Sequence, residues 1–290
     1  MLRRRWMTVL FVMAAILAAS CGDDTVTSPL PPTDAASVGA ADAIAEALDV
    51  GALYTEESYA ANATSDPLGA LIIANDEAAE RWRAIEGPTE VMAQIDASAR
   101  VADDLSALVE RYTPLLENPA TANAALPDFL AENAEIGARA VDADLALWDL
   151  AVVELRAGGT VAGAYLVDAV TIQYQSADVV VELLEALELV ATDPPAGVAA
   201  MEGPIDAVLA AAEPLRALQP PAELAAFHGR FLGFLEGYAE AVEPIVDAIS
   251  ANLTPATSDL VAINSLAEIA PELNAERSRL VASALRGELP

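Results

Sequence analysis

After residue 36, apolar positions recur every three or four places almost throughout, Ala and Leu dominate them, and the breaks fall at Pro and Gly. That period predicts helices. Residues 37–62 form a first helical stretch, interrupted near Gly51. Asp66-Pro67 offers an N-cap and a proline at the first helical position, opening a helix that runs to about Glu86. Gly87-Pro88 restarts the pattern, with Glu90 in the first turn, and carries it to about Leu116. A long segment follows from about Ala120 to Ala157 and stops at Gly158-Gly159. The next runs from about Thr160 to Ala191, before Asp193-Pro194-Pro195. Pro204 opens another, Pro220-Pro221 turns the chain into one more, and a last helix lies between about Ser258 and Arg286. No alternating run of β-branched and polar residues argues for a strand. The expected fold is all-α, an antiparallel bundle of seven to eight helices joined by short connections.

Four prolines, Pro114, Pro214, Pro244 and Pro271, stand where the apolar period continues. An interior proline loses one backbone hydrogen bond and clashes with the preceding turn, at about 3 kcal/mol. Kinks are expected at Pro244 and Pro271, and a break near Pro114.

The first 20 residues have a different pattern. Arg3, Arg4 and Arg5 precede an uncharged, mostly apolar run of 14 residues, Trp6 to Ala19. That run is too short for an ordinary spanning helix and suits the apolar region of a secretion signal. Trp6-Met7 after the arginines favours general secretion over twin-arginine export. The small residues Ala18, Ala19 and Ser20 then lead into Cys21, the one cysteine in the chain. Leu17-Ala18-Ala19-Ser20-Cys21 resembles the lipobox of bacterial lipoproteins, with Ala18 where leucine is commonest. The resemblance implies cleavage between Ser20 and Cys21 and a diacylglycerol thioether on Cys21. The partner it implies is a membrane, reached through acyl chains, and the place is the bacterial cell envelope, outside the cytoplasm. Each buried methylene of such chains contributes about 0.8 kcal/mol.

After Cys21 the longest uncharged stretches are 11 residues, 157–167 and 248–258, well short of the roughly 20 a spanning helix needs. The domain reading is therefore a signal peptide at 1–20, a tether at 21–36 and a helical body at 37–290. Pro29, Pro31 and Pro32 among Thr, Ser and Asp give the tether an extended character.

Composition narrows the function classes. Of 290 residues, 14 are basic, all of them Arg, and 45 are acidic, for a net charge of −31. A chain this acidic is repelled by phosphates, so no nucleic acid is expected as a partner. One Cys and one His leave no disulfide framework, Cys/His zinc site or thiol pair. No cofactor and no resident metal are expected, because no P-loop, dinucleotide fingerprint or calcium loop occurs. His228 lies at the edge of the helical face formed by Leu224, Phe227, Phe231, Leu235 and Tyr238. Without a Glu three residues before it, or a nucleophile elbow, it reads as a half-buried histidine satisfied by a neighbour.

Two features remain as candidate surfaces. Asp178, Glu182, Glu185 and Glu188 share one helical face within a stretch, Arg156 to Arg216, that has no basic residue between its ends. That face would suit a divalent cation or a basic partner, but the simpler reading is a solvated acidic face in a proteome biased to acid and poor in Lys. Gly229, Gly233 and Gly237, flanked by Ala225 and Ala241 at the same spacing, form a row beside the aromatic stripe. Three helical glycines cost roughly 3 kcal/mol of propensity, and close backbone approach is the usual compensation, so the row is a candidate packing groove for a protein partner or another helix, or else it faces water. The reading is a lipid-anchored envelope lipoprotein with a soluble acidic helical body and a non-enzymatic binding or structural role. The alternative is a receptor component that binds a ligand or divalent cation through surface carboxylates.

Overall fold

A computed structural model describes residues 39–118, 120–175, 194–251 and 257–290. The expected signal peptide and tether, residues 1–36, lie outside these residues. The described residues form eight α-helices and no strand: α1 (Ala40–Ala61), α2 (Pro67–Arg83), α3 (Thr89–Glu117), α4 (Ala122–Gly158), α5 (described over 161–175), α6 (Pro194–Ala217), α7 (Ala225–Ser250) and α8 (Thr257–Leu285), with a short 3-10 turn at Ala222–Leu224 before α7. The protein is an all-α, multi-helix bundle.

Several ends follow from local chemistry. Asp66 caps α2 by accepting the Gly69 N–H at 3.1 Å, with Pro67 in the first turn and Arg81 and Arg83 near the negative end of the helix dipole. The Gly159 φ of 64° is the left-handed conformation that closes α4. Thr160 then accepts the Gly163 N–H at 2.9 Å and starts α5.

Three boundaries depart from the sequence expectation. α1 runs unbroken through Gly51, beside which the Trp82 ring packs, so burial of the face that holds Leu48 and Ala52 outweighs one glycine's propensity cost. α3 does not break at Pro114 but continues to Glu117, because Leu116 packs on the same core as buried Tyr112 and holds the last turn. α6 opens at Pro194 and keeps Pro204 in its interior. A proline at the first helical position lacks only an N–H that would have been unsatisfied, so Pro194 starts the helix that Pro204 was expected to start. α7 and α8 run through Pro244 and Pro271.

The chain divides into two compact units. Unit 1 contains the described residues 39–163 together with Asn274–Pro290, and unit 2 is Ala164–Leu273. In unit 1, helices α1 to α4 pack consecutively. Arg111 pairs with Glu132 and Arg139 with Asp104, so as the number rises on one helix it falls on the other, and α3 and α4 are antiparallel. Their interface buries Val101, Leu108, Tyr112, Ala125, Phe129 and Ile136, with Tyr112 and Phe129 edge to face at 5.4 Å. The last part of α8 lies against α1 and α4: Arg279 pairs with Glu56, Arg286 with Asp49, and Arg277 with Asp144. In unit 2, α6 and α7 form a hairpin, and α7 buries Phe227, Phe231, Leu235 and Tyr238 at helical spacing.

Candidate functional site

α7 carries both the only imidazole and the glycine row. His228 is half-buried, and its Nδ1 lies 2.9 Å from the Tyr165 hydroxyl on α5. Burial pushes the Tyr165 phenol up to about 12, so it stays protonated at neutral pH. Donated from the phenol, this bond places the neutral imidazole proton on Nε2. The neighbour expected from sequence is thus a tyrosine 63 positions away. The partner hydroxyl is one that burial keeps from ionising, and the bond ties α5 to α7.

The glycine row meets less than its spacing suggested. Among the described residues, a Cβ added at Gly229 or Gly233 would have nothing within 4 Å, and both positions are exposed. Only Gly237 is approached, its added Cβ lying 3.4 Å from a Leu266 methyl of α8. Helix packing therefore accounts for one end of the row. Beside it, Arg216 of α6 directs Nε and an Nη onto the same Glu236 oxygen at 2.9 and 2.7 Å.

The residues expected to be cleaved and lipidated, Ser20 and Cys21, and those of the expected acidic face, Asp178, Glu182, Glu185 and Glu188, lie outside the described residues. Elsewhere the described residues hold no group of three or more His, Cys, Asp or Glu side chains placed to take a metal ion.

Unit 1 shows where the scarce positive charge goes. Arg81 bridges Glu57 on α1 and Glu77 on its own helix, both at 2.6 Å. Arg83 holds Asp103, and Arg139 holds Asp104 at 2.6 Å. Arg111 reaches Glu132, which also accepts the Tyr112 hydroxyl at 2.6 Å. With Arg277 and Arg279 of α8 and Arg286 just past its end, these seven arginines each reach an acid on another helix. Most pairs are exposed and contribute about 0–1 kcal/mol each, but together they set which helices meet and in what register. Acids so outnumber arginines that the remaining surface is negative.

The core contains polar groups that sequence reading passed over. Asn75 is fully buried and its Oδ1 accepts the Tyr54 hydroxyl at 2.8 Å. Burial pushes Tyr54 up to about 12, with a Ser58 hydrogen bond pulling the other way. Trp82 stands edge to face with Tyr54 at 5.7 Å and donates Nε1–H to the Ala47 carbonyl at 3.2 Å. Ser106 bonds Asp76 at 2.6 Å. The available signal was positional: Asn75 shares a helical stripe with Ala78, Ala79 and Trp82, and Ser106 with Ala102 and Val109, all buried. Asn75 and Ser106 each tie two helices together.

Compared with protein-family models, with curated proteins and with solved structures, the chain gives no match.

Proposed function

We propose that this protein is a lipid-anchored lipoprotein of the bacterial cell envelope whose acidic helical body has a non-enzymatic, binding or structural role. The observation that carries the proposal is the run Leu17-Ala18-Ala19-Ser20-Cys21 at the end of an apolar signal segment, with no other cysteine in 290 residues. Two further facts support it. Among the described residues, no helix is long and apolar enough to cross a membrane, and attachment through acyl chains on Cys21 does not require one. The body's polar clusters sit between helices, where they fix packing, and its one histidine is held by a tyrosine.

The test is Cys21→Ser expressed beside the parent in cells fed labelled fatty acid. The parent should incorporate label and fractionate with membranes, while the variant accumulates as an unlabelled precursor. A variant that is processed and released like the parent would defeat the proposal.

A further inference from the structure

Unit 1 is discontinuous in sequence. All of unit 2, Ala164–Leu273, lies between the 39–163 part of unit 1 and its closing segment, Asn274–Pro290. We infer that residues 274–290 are the strut that closes unit 1, and that helices α1 to α4 reach their stable packing only after this segment has been made and has docked.

The packing of the segment carries the inference. Ala275, Val281 and Ala282 are 0–1 % exposed, and Arg277, Ser278 and Ala284 are also buried. At 100° per residue these six positions span about half the helical wheel, wider than the ~100° stripe of an ordinary surface helix. The segment is therefore enclosed between neighbours. They are α1 and α4: Arg279 holds Glu56 at 2.5 and 2.7 Å, Arg286 holds Asp49 at 2.6 Å, and Arg277 meets Asp144 at 3.5 Å. α1 and α4 touch each other only slightly. Beyond the helix, the Pro290 carbonyl accepts the Ala162 N–H at 3.0 Å, tying the strut to the start of α5. Undocked, the strut would leave its own Ala275, Val281, Ala282 and Ala284 in water and take the arginine partners from Asp49, Glu56 and Asp144.

Order of synthesis then matters. The ion pairs of the strut close sequence separations of 223 and 237 residues. Long closures cost little extra in stability but slow folding, because entropy is lost before the contacts form. Early-made domains ordinarily fold first during synthesis. Here the early-made helices wait for the late segment, and unit 2 is free to close before them. This inference is independent of the envelope proposal, although a chain that must cross a membrane before folding would benefit from it.

The experiment arrests full-length nascent chains on ribosomes in a membrane-free translation system. One series carries a short unstructured tether that leaves residues 274–290 in the exit tunnel, and the other a long tether that brings them out. Trypsin is the probe, since the chain has no Lys and is cut only at Arg. The expected result is a protected fragment containing residues 39–163 with the long tether only. Equal protection with the short tether would overturn the inference. Two full-length variants on the long tether check that docking, not mere emergence, is responsible. Ala282→Glu puts a charge at a fully buried position and should abolish protection, while Arg279→Gln at the exposed rim should keep it. Protection that survives Ala282→Glu would also overturn the inference. Neither result depends on the state of Cys21.

Discussion

Replacing Gly229 and Gly233 by Ala, singly and together, should stabilise unit 2. Both lie well inside α7 with open space around the position of an added Cβ among the described residues, so the methyl group meets no clash. Each glycine costs about 0.8–1.0 kcal/mol relative to Ala in a helix interior. The double variant should therefore gain about 1.5–2 kcal/mol. For a unit of this size that raises the melting temperature by about 5 °C per kcal/mol. Urea and thermal unfolding followed by far-ultraviolet circular dichroism measure the gain, and hydrogen exchange of peptides from α7 assigns it to unit 2. Gly237→Ala is the internal comparison, because its Cβ meets a Leu266 methyl at 3.4 Å and should gain less. A loss of stability at Gly229 or Gly233, or a change of oligomeric state, would refute the reasoning and show that a backbone approaches the row.

Phe129→Ala should cost about 3–5 kcal/mol in urea unfolding, since it empties the centre of the α3–α4 interface; Ile73→Ala, at a site 59 % exposed, should change little. In alkali, Tyr54, Tyr165 and Tyr238, raised by burial from 10.0 to about 12, contribute stability that is fully present below about 10 and is lost as pH rises through about 12, so tyrosinate absorbance and loss of helix should coincide in that window. In acid the sign reverses: the Arg279 hydrogen bond holds Glu56 below its usual value, and the pair's stability, present above the ordinary carboxylate range, is lost as pH falls through the lowered value. Glu56→Gln should flatten that part of the acid limb by no more than about 1 kcal/mol, because the pair is exposed. NaCl should raise the melting temperature, since the chain from Cys21 onward carries 11 − 45 = −34 and the Debye length falls from about 30 Å at 0.01 M to about 10 Å at 0.1 M. Calcium at matched ionic strength should add little, and a saturating calcium effect lost in Glu182→Gln/Glu185→Gln would favour cation binding instead.

Helix identity was legible wherever local chemistry sets it. Asp66-Pro67 and Gly158-Gly159 mark ends that the structure keeps, because caps and left-handed glycines act within one turn. Gly51 and Pro114 misled because burial on neighbouring helices outweighed a local cost of about 1 to 3 kcal/mol, and Pro204 because Pro194 already occupies the first helical position. Periodicity says which face of a helix is apolar but not what it meets. The Tyr165 partner of His228, the arginine pairs between helices and the insertion of unit 2 into unit 1 were therefore out of reach. Asn75 and Ser106 could have been found as polar residues on apolar stripes. The glycine row was visible as a pattern, yet its spacing could not tell an approached glycine, Gly237, from two open ones.

The most direct measurement is the mass of the first tryptic peptide of the protein extracted from membranes. With no Lys in the chain and no Arg between Cys21 and Arg81, that peptide should comprise residues 21–81. It should begin at Cys21 and carry the added mass of a diacylglycerol thioether. A peptide that begins elsewhere, or that holds Cys21 as an unmodified thiol, would contradict the lipoprotein assignment.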